Sequence, residues 1–547
     1  MTHDVFNQAP PFTGHDLSSS DAALLSGVVR ENAGWATGEL RRLGALAGSE
    51  RAGEWGRLAN EHPPILRTHD RYGRRIDEVE FHPAWHELMT VAVENGLHAA
   101  PWSSDRPGAH VARAAKFYLW TQVEAGHGCP ISMTYAAVAA LRQDPALTAE
   151  WEPLLTSRDY DFGLRPPLDK RGVLAGMAMT EKQGGSDVRA GTTRAERLGD
   201  GSYALTGHKW FNSAPMCDVF LVLAQAPGGL SCFLLPRVLP DGTRNAVHLM
   251  RLKDKLGNRS NASAEVEYHG ATAWLVGEEG RGVRTIMEMV NMTRLDCVIG
   301  SAAGMRYGVT RAVHHATHRA AFGRRLIDQP LMRNVLADLA LESEAATTLM
   351  TRLAGAADRA VAGDPAESAL RRTALAAGKY WVCKRAPAHA AEALECLGGN
   401  GYVEESQLPR LFRESPLNGI WEGSGNVAAL DVLRALDREP EALEAFFAEV
   451  SLAAGADRRL DEAAGRLRGS LGDLTDAEAR ARRVAEEMAL VLQGSLLVRL
   501  APPAVADAFC ASRLSAGAGR AFGTLPAGLD LKAVIDRAAA GSPSGSP

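Results

Sequence analysis

Seven cysteines are spread through the 547 residues, at positions 129, 217, 232, 297, 383, 396 and 510, and no two of them form a C-x-x-C pair. A thiolate zinc site is therefore not expected, and an odd count with no framework fits a reducing compartment. No run of 18 apolar residues occurs, which argues against a membrane-spanning helix. The first residues lack a basic stretch followed by an apolar one, so no secretory signal is read and a cytoplasmic location is expected. Neither sign of charge dominates: 60 Lys and Arg stand against 65 Asp and Glu, a net −5. That balance argues against an overall basic coat for nucleic acid but leaves room for a local basic groove. No G-x-G-x-x-G opens a strand-to-helix turn, and no Walker-type phosphate loop occurs, so a Rossmann or P-loop nucleotide site lacks support. No G-x-S-x-G nucleophile elbow is present.

What is present is an ordinary globular balance, 46% hydrophobic and 23% charged. At roughly 150 residues per domain the length predicts three or four domains. Residues 1–20 are polar and contain proline, which predicts an extended run along a surface. Helical spacing dominates 20–159, with one helix starting at Pro83 behind His82 and another over 110–125. From 171 to 276 short apolar runs such as Val219-Phe220-Leu221-Val222-Leu223 alternate with turn residues, which predicts strands. Helical spacing returns over 283–322 and 331–361. Asp364-Pro365 then supplies an N-cap and first-turn pair, Leu397-Gly398-Gly399 a glycine stop, and 425–436 a fourth helix. Four successive helices predict a bundle. A separate Ala/Arg/Glu-rich helical segment follows, with a disordered Gly/Ser/Pro tail expected over 541–547. The expected class is α+β, divided into 1–170 (N-terminal extension and helices), 171–281 (β), 282–438 (bundle) and 439–547 (extra helices and tail).

Four segments carry chemistry. Thr180-Glu181-Lys182-Gln183-Gly184-Gly185-Ser186-Asp187 follows a strand; its N–H groups and hydroxyls suit a phosphate or a heterocycle edge, and a tight turn explains it equally well. Lys209-Trp210-Phe211-Asn212-Ser213 offers an aromatic face and a hydroxyl, or a strand with one buried aromatic. Arg319-Ala320-Ala321-Phe322-Gly323 ends a helix, where arginines also favour the helix dipole. Gly398-Gly399-Asn400-Gly401 and Trp421-Glu422-Gly423-Ser424-Gly425-Asn426 close the series. A lone Glu between an aromatic and a glycine would be desolvated toward a useful base; it could also simply complement a helix N-terminus. His314, His315 and His318 share a helix with no carboxylate to complete a metal set, and read as a solvated face. No metal site is expected.

Together and in this order the four segments resemble the acyl-CoA dehydrogenase family of FAD enzymes, clearly over 171–435. The opening residues, Arg30-Glu31-Asn32-Ala33-Gly34-Trp35 and Lys253-Asp254-Lys255-Leu256-Gly257-Asn258-Arg259-Ser260 resemble the family's alkylation-response branch, whose members carry an added C-terminal helical domain. The resemblance implies an N-terminal helical domain, a middle β domain and a C-terminal four-helix bundle, usually assembled as a homotetramer. It places Thr180 and Ser186 at the flavin edge and pyrophosphate. Phe211 falls at the stacking aromatic, with Trp210 one place early, and Ser213 falls at the donor to flavin N5. Arg319 and Phe322 match an element that reaches the FAD of a neighbouring subunit, with Gln329 following. Gly398, Gly399 and Gly401 match a stretch whose backbone lies along the partner's FAD. Glu422 matches the catalytic base, and Ser424 and Asn426 follow it. Some members place the base before an arginine on the first bundle helix, where this chain has Thr293 before Arg294.

The implied chemistry is α,β-dehydrogenation of an acyl-CoA thioester, with an electron acceptor downstream. A carboxylate in a dry site removes the weakly acidic Cα proton. Donors at the thioester oxygen, among them the N–H of the base residue, stabilise the enolate. The branch is also associated with double-stranded DNA through its C-terminal region. Over 441–547 twelve Lys/Arg stand against fourteen Asp/Glu, a net −2. The arginines nevertheless cluster, at Arg458, Arg459 and Arg466 and again at Arg482 and Arg483, and could meet phosphates or simply pair with nearby acids. Three expectations stay open: a dehydrogenase, a DNA-associated protective protein with little turnover, and a flavin oxidase or desaturase on another substrate.

Overall fold

The computed structural model describes residues 3–472, 475–515 and 519–539. The 541–547 tail lies outside them. The chain forms two compact units.

One unit combines Arg51–Asp105 with Val123–Asp296 and is built on a seven-stranded sheet. Tyr203–Ser213 pairs antiparallel with Ser263–Leu275 and with Arg194–Arg197. Val219–Ala226 pairs with Gly229–Pro236 and, in parallel, with Ala175–Ala178. Gly229–Pro236 returns to Ser263–Leu275, and Arg194 meets Gln225, so the ladder closes on itself. Closure pairs both edges of the strands in the ring, which limits the open edges that would otherwise invite aggregation. Val219 to Ala224 are all buried, which is why they read as one apolar run rather than an alternation. Helix Gly128–Leu141 lies against Ala175–Ala178, where the Thr134 hydroxyl accepts the Ala175 N–H at 3.0 Å.

The helical reading of 20–159 is interrupted by a hairpin, Ile65–His69 with Arg75–Glu80. Charged side chains crowd this stretch, so its short apolar alternation is masked. Asp70 closes the turn by accepting the N–H groups of Tyr72 and Arg74. Arg75 donates to the Leu249 carbonyl at 2.9 Å and Arg237 to the Asp77 carbonyl at 2.8 Å, tying the hairpin to the barrel.

The other unit draws on Met1–Glu50, Arg106–Gln122 and Cys297–Pro547. Its central helix, Pro330–Val361, is buried continuously from Leu336 to Ala357. Pro365–Glu395 runs beside it, capped by the Asp364 carboxylate, and also packs on Gly425–Arg438, Pro440–Ser451 and Ala477–Leu500. The helices beyond 439 are therefore part of the bundle rather than an appendage. Buried Glu449 accepts from Arg352 at 2.8 Å and Arg499 at 2.6 Å, and Arg513 reaches Glu342 and Asp338. Removing one partner of such a buried pair costs about 3–5 kcal/mol.

The histidine face of helix Gly282–His318 is only partly solvated: His318 is exposed as expected, His315 is buried, and the N-terminal segment lies on His314. His314 bonds the Pro10 carbonyl at 2.9 Å, and the Phe12 ring packs on His15 and His314. Among the described residues no helix is long and apolar enough to cross a membrane.

Candidate active site

The candidate residues fall on both units, and each set is described by itself. On the barrel, the loop after Ala175–Ala178 is held by a buried ion pair. Lys209 Nζ lies 2.9 Å from Glu181 Oε1 and donates to the Leu223 carbonyl at 2.7 Å. Glu181 also accepts the N–H groups of Thr192 and Thr193. Burial pushes its carboxyl up, but the Lys209 ammonium and these donors outweigh burial and hold it at about 2. Thr180 lies against Gly185, where a Cβ would come within 2.4 Å of its Oγ1. Ser186 is exposed beside them, and Gly184, at φ 130°, faces open space.

Strand Tyr203–Ser213 carries a β-bulge. Pairing with Ser263–Leu275 runs through Lys209↔Val266 and resumes at Asn212↔Ala264, so Trp210 and Phe211 together face one residue. The Trp210 N–H donates to the Thr180 carbonyl at 2.8 Å. The Lys253 ammonium sits 3.5 Å from the Trp210 ring centre and 4.6 Å from that of Phe211. Phe211 is the more exposed of the two, with 50% of its surface open. The Asn212 Oδ1 beside it is buried with no hydrogen-bond partner among the described residues.

On the helical unit, Ala320–Ala321 and Arg324–Arg325 form a two-residue hairpin, with Phe322 at φ 52° and Gly323 at φ 76°. Both central residues are left-handed, as a type I′ turn requires, and the turn leaves Phe322 100% exposed. Gln329 donates back to the Ala321 carbonyl at 3.0 Å, so its amide braces the hairpin. Asn7 bonds both the N–H and the carbonyl of Ala320, and Arg319 donates to the Asn7 carbonyl at 2.6 Å. Asn400, in the glycine stretch, reaches Gln8 at 3.5 Å. The three glycines divide in role. A Cβ on Gly398 or Gly399 would meet nothing within 4 Å, whereas one on Gly401 would collide with the Leu394 carbonyl at 2.0 Å. Gly401 is a packing glycine; Gly398 and Gly399 present open backbone.

Glu422 is half-buried with φ 56°, followed by Gly423 at φ 99° and then the N-terminus of Gly425–Arg438. Left-handed backbone at a non-glycine residue costs of order 1–3 kcal/mol and persists only where its surroundings hold it. Ser424 stands at the N-cap, but its hydroxyl makes no capping bond. Asn426 accepts from Arg482 at 2.7 Å. Lys379, absent from the sequence reading, donates to the Trp421 carbonyl at 2.8 Å and to the Gly423 carbonyl. Its mark in the sequence is a lysine amid Ala374-Leu375-Ala376-Ala377 and Val382-Cys383, with no acid one helical turn away to pair with. Thr293 spends its hydroxyl on the Val290 carbonyl at 3.1 Å, within its own helix.

Three family models match: the adaptive response protein AidB N-terminal domain over 7–162, the acyl-CoA dehydrogenase middle domain over 176–271 and the acyl-CoA dehydrogenase C-terminal domain over 280–436. AidB of Escherichia coli (strain K12) is 51% identical over 524 residues, 95% of this chain and 96% of its own. The chain belongs to the acyl-CoA dehydrogenase family. Within that family it falls in the AidB branch. Caenorhabditis elegans acyl-CoA dehydrogenase family member 11 is 33% identical over 74% of this chain and 68% of its own. The crystal structure of C. elegans ACDH-11 in complex with C11-CoA superposes with TM-score 0.85 at 29% identity, covering 94% of each chain. The acyl-CoA dehydrogenase fold, with added helices after the bundle, is thereby established.

Proposed function

We propose that this chain is an FAD-dependent oxidoreductase that removes the α and β hydrogens of an acyl-CoA thioester, with Glu422 as the base. The observation that carries this reading is the backbone at Glu422: a carboxylate held in left-handed conformation at a helix start, in a family of acyl-CoA dehydrogenases. The residues present fit a flavin. Phe211 offers a half-exposed aromatic ring, Ser213 follows two places on, and Gly184 leaves room where a Cβ would stand. Thr180 and Ser186 would bind the flavin edge and pyrophosphate. Arg319, with Gly398 and Gly399, would meet the cofactor of a neighbouring subunit, and the fully exposed Phe322 suits burial in a homotetramer. Bound FAD would supply the hydride acceptor, and an external electron acceptor would reoxidise it.

Glu422 would take the Cα proton, and its own N–H would stabilise the thioester oxygen as negative charge develops there. The C11-CoA bound in ACDH-11 supports a fatty acyl-CoA as the substrate class. All seven cysteines are buried, and their odd count with no C-x-x-C framework supports a reducing, cytoplasmic setting.

The DNA-associated reading draws less from the geometry. Arg459 is bonded to Asp457 and Asp507, Arg466 to the Leu514 carbonyl, Arg482 to Asn426 and Arg483 to Glu487. Arg458 is 89% exposed, yet it too lies 3.5 Å from Glu462. Acids and carbonyls interleave the cluster that phosphates would have to engage. The decisive variant is Glu422→Gln: flavin content stays at the wild-type level while reduction of the flavin by an acyl-CoA is lost. Undiminished reduction in that variant removes Glu422 from the mechanism.

A further inference from the structure

Lys379 is 1% exposed in the middle of Pro365–Glu395. No carboxylate pairs with it among the described residues; its ammonium is spent on two carbonyls, those of Trp421 and Gly423, which flank Glu422. Two carbonyl dipoles aimed at one point repel each other, and a buried cation between them turns that repulsion into attraction. The same loop is anchored from its other end. The Trp421 indole donates to Asn418 at 2.9 Å, and Asn418 donates to Ser301 at 3.2 Å.

A planar trans peptide points its C=O and its N–H in opposite directions. Holding the Trp421 carbonyl on Lys379 therefore turns the Glu422 N–H away from the lysine. Holding the Gly423 carbonyl does the same for the Ser424 N–H. Released, Glu422 would relax out of the left-handed region, and both the direction of its N–H and the placement of its carboxylate would change together.

We infer that Lys379 is a positioning residue: a clamp on the Trp421–Glu422 and Gly423–Ser424 peptides that presents one N–H to the thioester oxygen and the Glu422 carboxylate to the adjacent Cα proton. This rests on the reading of Glu422 as base. It adds that the oxyanion donor is built by a buried lysine on a different helix.

The test uses the FAD-loaded full chain and C11-CoA labelled with ¹³C at the thioester carbonyl. Isotope-edited infrared difference spectra report how strongly the bound carbonyl is polarised, and this readout needs no turnover. The wild-type protein is expected to shift the carbonyl stretch to lower frequency. Lys379→Met is expected to lose most of that shift and to slow flavin reduction by about 10²–10³-fold, the usual loss for one oxyanion donor, with flavin content unchanged. In Lys379→Ala, added ethylammonium is expected to restore part of both; a variant damaged only in folding would not respond. Glu422→Gln keeps its N–H, so it is expected to keep the infrared shift and lose reduction. A carbonyl that is unshifted in the wild-type protein, or equally shifted in Lys379→Met, overturns the clamp. Reduction surviving in Glu422→Gln overturns the base assignment instead, and the infrared result still decides the clamp.

Discussion

At the scale of single residues, opposite charges carried into the barrel wall do the positioning. Glu181 was visible as part of the Thr180–Asp187 motif. Lys209 stood in the second motif, but its pairing with Glu181 was not legible, because 28 residues separate them and nothing local marks an inward-facing lysine on a strand. The pair has a pH signature. Glu181 titrates near 4.5 when unfolded and at about 2 when folded. Its stabilisation is therefore fully present above pH 4.5 and is lost as pH falls toward 2. Glu181→Gln leaves Lys209 buried without its counter-charge, a loss of about 3–5 kcal/mol at neutral pH. Thermal melts down the acid range should show the gap between wild type and variant narrowing below pH 4.5. A gap independent of pH would mean that the pair does not hold the loop.

At the scale of elements, the sequence located most of the frame. The predicted cap at Asp364, the glycine stop after 395, the fourth predicted helix from 425 and the strand runs over 171–276 all lie where the patterning put them. These features are local, and local chemistry decides them. The 65–80 hairpin was missed because its register depends on Arg75 and Arg237 reaching carbonyls far along the chain. The bulge at Trp210 and Phe211 was equally closed to the sequence, since a bulge is a property of two strands and not of one. The N-terminal segment was read as extended, which it is, but its cargo was hidden. Asn7 and Gln8 tie the Arg319 hairpin to the glycine stretch. Asn7→Ala should therefore speed hydrogen exchange at the Ala320 amide and weaken FAD retention several-fold. Exchange and flavin content both at wild-type values would reduce the segment to a surface covering.

At the scale of the whole molecule, the order of helices, strands and helices again was legible because the hydrophobic period changes between them. The integration of the last part was not. Composition set 439 onward apart, whereas Glu449 and Arg513 bind it to the bundle through Arg352 and Asp338, 97 and 175 residues away. The same helices carry the arginines once read as a DNA face, and the acids that occupy them. The segment bearing Glu422 is held by Lys379 at the Trp421 and Gly423 carbonyls and met by Arg482 at Asn426. One measurement tests that account most directly: anaerobic titration of the purified, FAD-loaded protein with short, branched and long acyl-CoA thioesters, followed by the flavin absorbance band. The account requires the band to bleach with at least one of them, and the chain length that bleaches it best names the substrate class. A flavin band that no thioester bleaches would contradict it.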